Sequence, residues 1–401
     1  MKTTYKLIIT TFLCGFSLFV MAQQTVSAHI VGIETREPIV SASVISSASH
    51  SITNIEGGFI VRADSADYLQ ISHVSYVTQN IPVRNLGDTI FLQPKIVELA
   101  ELIIVPREVI IRDLRAVWDK YHGLLRRMRD RNLPQQTFYY RQLTQNNDVY
   151  VEYIESFFTA PTCVRVGELS LQEGRFARAQ SDSIVWITNY FASSRITPFS
   201  LQEARTRHAI NSFLVKDFDK HYDISITRII SSGNEDEVVV YQFTPYRDVI
   251  GESGIMLSGQ LYVRTKDRTI VRMEANTRRI GVFGIPSVTN GTHYFVVTYR
   301  EGITNFPIVE SVRTKTEITH LRDGQPHQIK IQSTLHAVDY PIRSRGRRVR
   351  WNDNLLRRVA DSRYNQEFWD NNPFVKRTRV EQRVLNDFNR AGYFGTMNLN
   401  E

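Results

Sequence analysis

Ten histidines, two cysteines and 41 carboxylates are the groups in this 401-residue chain that could ligate a metal, attack a carbonyl or carry a proton. Few of them are spaced for such work. His320, His327 and His336 recur on adjacent predicted strands. A metal site takes three or four convergent ligands, so these read as exposed strand histidines beside the turn at Asp323-Gly324. No His-Glu-x-x-His and no His-x-x-Glu occurs. His73 reads as a local hydrogen-bonding residue. No Gly-x-Ser-x-Gly elbow presents a serine nucleophile. Cys163 lies between Thr162 and Val164 with no histidine nearby, which is the setting of a structural thiol. Glu152, Glu155, Asp182 and Asp236 fall in no pattern that fixes a catalytic separation between two carboxylates. Gly251-Glu-Ser-Gly254 is a turn, without the Gly-x-x-x-x-Gly-Lys-Ser/Thr of a phosphate loop. No catalytic, metal-ligating or cofactor-binding residue is assigned, and a non-enzymatic chain is expected.

Charge and aromatics are the remaining chemistry. Arg343, Arg345, Arg347, Arg348 and Arg350 crowd one short stretch ahead of Trp351, with Arg357 and Arg358 beyond it. Beside an anionic membrane or lipopolysaccharide phosphates they would contribute ~1 kcal/mol per basic residue. The plainer alternative is a solvated arginine-rich segment before a terminal helix. Nucleic acid is not called for: the net charge of +8 falls to +6 without Lys2 and Lys6, a mild excess at this size. Tyr140, Tyr153, Phe157, Trp186, Tyr241 and Tyr262 could line a groove for an acyl chain or glycan. Equally, they are core beneath a helix.

The elements that must position these groups begin with an address. Lys2 and Lys6 precede an apolar run from Leu7 to Val20, and Val20-Met21-Ala22 leads into polar Gln23-Gln24. This is the pattern of a secretory signal peptide, residues 1–22, cleaved after Ala22. The run is short of the ~20 apolar residues that span a bilayer. Cys14 does not close the apolar region, as a lipidated cysteine would, because Phe16, Leu18, Phe19 and Val20 follow it. Cleavage leaves Cys163 as the one thiol, so no intramolecular disulfide or Cys-x-x-Cys site is expected and stability must come from packing. The chain is expected in the periplasm or at the outer membrane.

Residues 23–105 read as short strands between turn signals, a small β-sandwich of about seven strands. Val26, Ala28 and Ile30 alternate inward, and Asn54-Ile-Glu-Gly57-Gly58 is a tight turn that delivers Phe59 to the core. Residues 106–133 read as a connecting amphipathic helix opened by Pro106, with Ile110, Leu114, Val117, Tyr121, Leu125 and Met128 on one stripe. From 134 to 342 the pattern is hairpins: 138–143 with 149–154, 223–230 with 238–243, 259–263 with 270–274, and then three further strands. A helix near Leu201 to Phe213 interrupts them. Residues 343–401 carry the basic segment and then a helical region docked by Phe368, Trp369, Val384, Leu385 and Phe388.

Two resemblances follow from these residues. Ile33-Glu-Thr-Arg-Glu-Pro-Ile39, Ala42-Ser-Val44, Thr53-Asn-Ile-Glu-Gly-Gly-Phe59, Leu69-Gln-Ile-Ser72 and His73-Val-Ser-Tyr76 resemble the carboxypeptidase-regulatory-like domain, departing from it at Ser75 where glycine is usual. That resemblance implies a transthyretin-like sandwich of a Gram-negative envelope protein and no catalytic residues. The succession of hairpins, above all Gly259-Gln-Leu-Tyr-Val-Arg-Thr-Lys-Asp-Arg-Thr-Ile-Val-Arg-Met273, resembles the curved antiparallel sheet, or half-barrel, of LolA-like lipoprotein carriers. The expectation is a mainly β, exported, non-enzymatic binding protein of the cell envelope. Its ligand would be amphiphilic, a lipid or lipoprotein acyl chain on the curved sheet, with a glycan also possible. The alternative is a scaffold or interaction partner of an outer-membrane transport complex.

Overall fold

The computed structural model describes residues 24–99, 105–128, 135–161, 169–179, 217–231, 237–246, 257–277, 288–300, 308–339, 347–349, 358–359, 362, 364–371 and 376–394. The expected signal peptide with Cys14, Cys163, Asp182, Trp186, the helix expected near 201–213, Asp236, Gly251–Gly254, Arg343, Arg345, Arg350, Trp351 and Arg357 lie outside the described residues. Arg347 and Arg348 are described only as backbone.

The first module opens with β1 (Gln24–Gly32), which pairs antiparallel to β4 (Gly58–Ala63) and parallel to β7 (Thr89–Leu92). A second sheet has the order β3 (His50–Ile52), β2 (Ser43–Ile45), β5 (Tyr68–His73), β6 (Tyr76–Pro82). Period-two alternation turns Val26, Ala28 and Ile30 inward, where they meet Phe59, Val61 and Ile90 from their own sheet and Val44, Leu69 and Ile71 from the other. The turn before β4 is built by Asn54, whose Oδ1 accepts from the backbone N–H of Glu56 and Gly58, both at 2.9 Å. Gly57 completes it at φ +72°, and a Cβ there would stand 2.4 Å from the Ile30 carbonyl. Only glycine fits. Phe59 is thereby delivered to the core fully buried.

The strand that leaves this module, β8 (Ile96–Leu99), pairs with β12 (Tyr222–Ser231) and so becomes one edge of a twelve-stranded sheet. The other members are β9 (Gln135–Asn146), β10 (Val149–Pro161), β11 (Leu169–Arg178), β13 (Val238–Pro245), β14 (Ser258–Arg264), β15 (Thr269–Thr277), β16 (Val288–Arg300), β17 (Ile308–Arg322), β18 (Gln325–Val338) and β19 (Arg347–Val349). All pairings are antiparallel, in the order 19-11-10-9-18-17-16-15-14-13-12-8. The two ends do not meet, so the sheet is not a closed barrel. Its tightest hairpins carry two residues with φ > 0: Asn147 at 48° and Asp148 at 68°, and Asp323 at 51° and Gly324 at 74°. Such turns match the right-handed twist of the strands they join.

Each face of the sheet is covered by something different. On one, Phe138, Tyr140, Leu335, Val312, Phe295, Val297, Met273, Leu261 and Tyr241 form a continuous core with α1 (Arg107–Met128). Ile110, Leu114, Val117 and Tyr121 recur at helical spacing and bury that stripe, and the Tyr121 hydroxyl accepts from the Ile270 backbone N–H at 2.8 Å. The side chains of Leu125 and Met128 lie outside the described residues. A short α2 (Phe218–His221) precedes β12. On the opposite face, α3 (Gln366–Asn371) and α4 (Arg379–Arg390) dock through Phe368, Trp369, Val384, Leu385 and Phe388. The first module packs on the rest of that face.

Candidate functional site

Cross-strand register divides the aromatics expected to line one groove. Tyr140 and Tyr241 belong to the α1 face and are core. Tyr153 and Phe157 sit at odd positions of β10 opposite Leu143 and Tyr139, which places them on the other face beneath α3 and α4. Tyr262 shares that second face and packs beside Val74 of the first module. Trp186 lies outside the described residues. Residue type does not separate them; strand parity decides the face.

The histidine trio separates for the same reason. His320 and His327 face each other across the β17–β18 hairpin, and the His327 Nδ1 lies 3.2 Å from Asn146 Oδ1. His336 pairs with Ser311 at the far end of β18, nine residues or roughly 30 Å away at strand rise. Two of the three also depart from the exposed setting expected of them: His320 and His336 are buried. Among the described residues no three His, Cys, Asp or Glu are placed to hold a metal ion. His73 makes the local bond expected of it, Nδ1 accepting from Ser75 N at 3.2 Å.

Glu155, one of the unassigned carboxylates, is the centre of a buried ion cluster. It is fully buried and bonds Arg175 and Tyr139, while Arg377 Nε reaches it at 3.0 Å and Arg141 at 3.9 Å. Arg141 is in turn bound to Glu381 of α4 at 2.8 Å. Burial pushes the Glu155 carboxyl up, and the three guanidiniums more than reverse that, holding it well below the ordinary range. Every group of this cluster is engaged with another or with the C-terminal helices. It docks the chain's end.

The second polar concentration is a chamber of about 380 Å³ between the modules. Ser41, Ser43, Gln70, Ser72, His73 and Thr78 line it from the first module. Arg264, Arg272, Thr298, Arg300 and Glu310 line it from the large sheet, and Lys95 comes from the connection between them. Four of the lining groups are cations and one is a carboxylate. Asp267 holds Arg264 at 2.8 Å and Glu274 holds Arg272 at 2.9 Å. Arg300 donates to Gln136 at 3.1 Å, and its buried Nε has no bond. Ser41 is 4% exposed, has φ +62° and carries a hydroxyl with no partner. Burial, then the charges of Arg272, Lys95 and Arg313, lower the His73 imidazole to about 3. Burial and Arg272 lower Arg313 to about 10.

Ser43, His50 and Glu310 meet at the chamber wall with residue types that could activate a nucleophile. The geometry does not relay a proton. His50 Nε2 lies 3.2 Å from Ser43 Oγ and 3.0 Å from Glu310 Oε1, so serine and carboxylate compete for one ring nitrogen. A working triad uses the two nitrogens separately, and here Nδ1 is buried without a bond. The His50–Glu310 contact instead ties β3 to β17 across the module boundary. Asn54 Nδ2 donates to the Lys376 carbonyl at 3.1 Å, and the Arg379 N–H donates to Glu56 at 3.2 Å, adding to that tie.

Spacing along the sequence marks none of these clusters. The signal was present for one. Phe138-Tyr-Tyr140 puts large apolar groups on both parities of β9, so both faces are covered and Arg141 must be buried and paired. The chamber, by contrast, draws residues from eight separate segments that no spacing relates.

No family model matches the sequence, and no curated protein does. Solved structures similar to the chain include the LolA superfamily protein NE2245 from Nitrosomonas europaea, with 13% identity, 56% of this chain and 93% of that chain covered, and a TM-score of 0.18. MucB in complex with MucA(peri) is another, with 8% identity, 57% and 94% coverage, and a TM-score of 0.15.

Proposed function

We propose that this chain is an exported, non-catalytic binding protein of the cell envelope that takes its ligand in the chamber between its two modules. The observation that carries this reading is the chamber itself: about 380 Å³ is within the range of small-molecule pockets, and serine, threonine and cationic side chains of both modules line it. Export is supported by the pattern of residues 1–22. The regulatory-like and LolA-like resemblances fit an envelope role. An acyl chain on the curved sheet is the other occupant to weigh. Among the described residues the apolar face is already filled by α1, so an amphiphile would have to displace Leu114 and Tyr121.

Gln70 and Thr78 are the exposed members of the chamber lining and mark its mouth. A Gln70→Trp chain is therefore expected to fold and to be plugged. Small molecules extracted from the envelope should raise the melting temperature of the wild-type chain and leave that of Gln70→Trp unchanged. An equal shift in both, or stoichiometric fatty acid or phospholipid on the purified protein, overturns the reading. A second reading, docking to an outer-membrane transport complex, is favoured by a shallow basic groove of about 610 Å³ along α4 that includes Lys376, Arg379, Arg383 and Arg390. Charge reversal at Arg383 and Arg390 would then strip the chain from that complex in envelope fractions.

A further inference from the structure

We propose that the chamber is a site for a small uncharged polyol, a neutral mono- or disaccharide in chemistry; this rests on reading the chamber as the ligand site. The charge class follows from the wall, where every ion is already committed. Arg264 is held by Asp267 at 2.8 Å, Arg272 by Glu274 at 2.9 Å, and Glu310 by His50 at 3.0 Å. Arg300 donates to Gln136 at 3.1 Å, and its charge falls on Glu310. Lys95 is engaged as well. The His73 ring, lowered to about 3 chiefly by burial, is neutral at ordinary pH. A charged ligand would therefore leave water and find no free counter-charge, and an ion buried without a partner is costly. An uncharged ligand gives up only hydrogen bonds that it can remake.

The bonds on offer are set by β5 and β6. Leu69 and Ile71 point into the core of the first module, so Gln70 and Ser72 point the other way, toward the chamber. Thr78 has the parity of Asn80, the cross-strand partner of Gln70, and joins them on that face. Gln70 and Thr78 are exposed and Ser72 is half-buried. None of the three side chains has a hydrogen bond among the described residues. Two hydroxyls and a primary amide can each donate and accept, which matches the hydroxyls of a sugar and calls for no ion. Ile45, Val74 and Val271 are half-buried members of the same lining and offer contact to the C–H face of a sugar ring. A fatty acid would find no free cation for its head and hydroxyls along its tail.

The test is calorimetric titration of the full mature chain with glucose, N-acetylglucosamine, maltose, glucuronate, glucose 6-phosphate and laurate, at low and at high salt. One equivalent of a neutral sugar should bind, about tenfold or more tighter than either sugar anion. Salt should leave that affinity unchanged, since no charge is brought together. Thr78→Val and Ser72→Ala should each weaken it about fivefold, the size of one neutral hydrogen bond. Gln70→Trp should abolish it, and the exposed Lys315→Gln should leave it as it is. Circular dichroism and the melting temperature identify any variant that fails to fold, and Thr78→Val, at an exposed position, then decides. A sugar anion binding as tightly as the neutral sugars, with Gln70→Trp still blocking it, overturns the uncharged class and leaves the chamber as the site. Binding of none of the probes overturns the sugar class. Sugar binding that survives Gln70→Trp, or binding of laurate alone, overturns the site as well.

Discussion

At the scale of the residue, Glu155 shows how a sheet with two covered faces handles charge. One carboxylate sits among Arg175, Arg377 and Arg141, each buried or nearly so, and the cost of bringing these ions out of water is met by direct bonds. Removing one partner is worse than never having had the group, because the others stay buried. Glu155→Gln should therefore destabilise the chain by about 3–5 kcal/mol, read from the urea midpoint of equilibrium unfolding. Lys315→Gln, at an exposed surface pair with Glu317, should change it by less than about 1 kcal/mol. Equal effects at both sites would remove the cluster's structural role.

Elements are held by apolar stripes and by their ends. Leu114 is wholly buried at the centre of the α1 stripe, whereas Arg112 on the same helix is exposed. Leu114→Ala should cost about 2–5 kcal/mol and loosen α1 from the sheet, seen as faster amide exchange along the helix. Arg112→Ala should cost within about 0.5 kcal/mol. At the other end of the chain, Thr378 caps α4 in a full capping box: its side chain accepts from Glu381 N at 3.2 Å, and the Glu381 carboxylate accepts from Thr378 N at 2.7 Å. Thr378→Ala should cost about 1 kcal/mol, with exchange quickened at Glu381 and its neighbours. An unchanged exchange pattern would mean that the α4 N-terminus is held by Glu56 and Arg141 instead.

For the molecule as a whole, the buried histidines set its response to acid. Burial lowers His293 to about 4, and burial together with Arg141, Arg313 and His50 lowers His336 to about 3. In the unfolded chain both titrate near 6.5. Between those values the unfolded state binds protons that the native state refuses, so stability rises with pH and is lost on acidification. From pH 7 to 4.5 each ring should cost roughly 2 kcal/mol, measured as the shift in urea midpoint, and His336→Gln should flatten the slope by its share. The depressed carboxylates Glu155 and Glu310 act lower, as pH falls through and below the ordinary carboxylate range, so the loss above about 4.5 comes from the histidines, with Glu173, raised by burial, acting there in the opposite sense. A flat stability profile from 7 to 4.5 would refute this.

What the sequence alone determined is what depends on neighbours along the chain. Alternation at Val26, Ala28 and Ile30, the Asn54–Gly58 turn, the α1 stripe and the two-residue hairpin turns are local, since period and φ > 0 positions are set by a few consecutive residues. Docking of the last helices by Trp369, Val384, Leu385 and Phe388 was legible for the same reason. The face to which Tyr153 and Tyr262 belong, the pairing of β8 with β12, the Arg cluster around Glu155 and the chamber were decided by tertiary structure. Each depends on register or on contacts between residues up to 323 positions apart, as at Glu56 and Arg379. Burial and charge pairing act through space, and spacing along a chain carries no record of which strands will be neighbours.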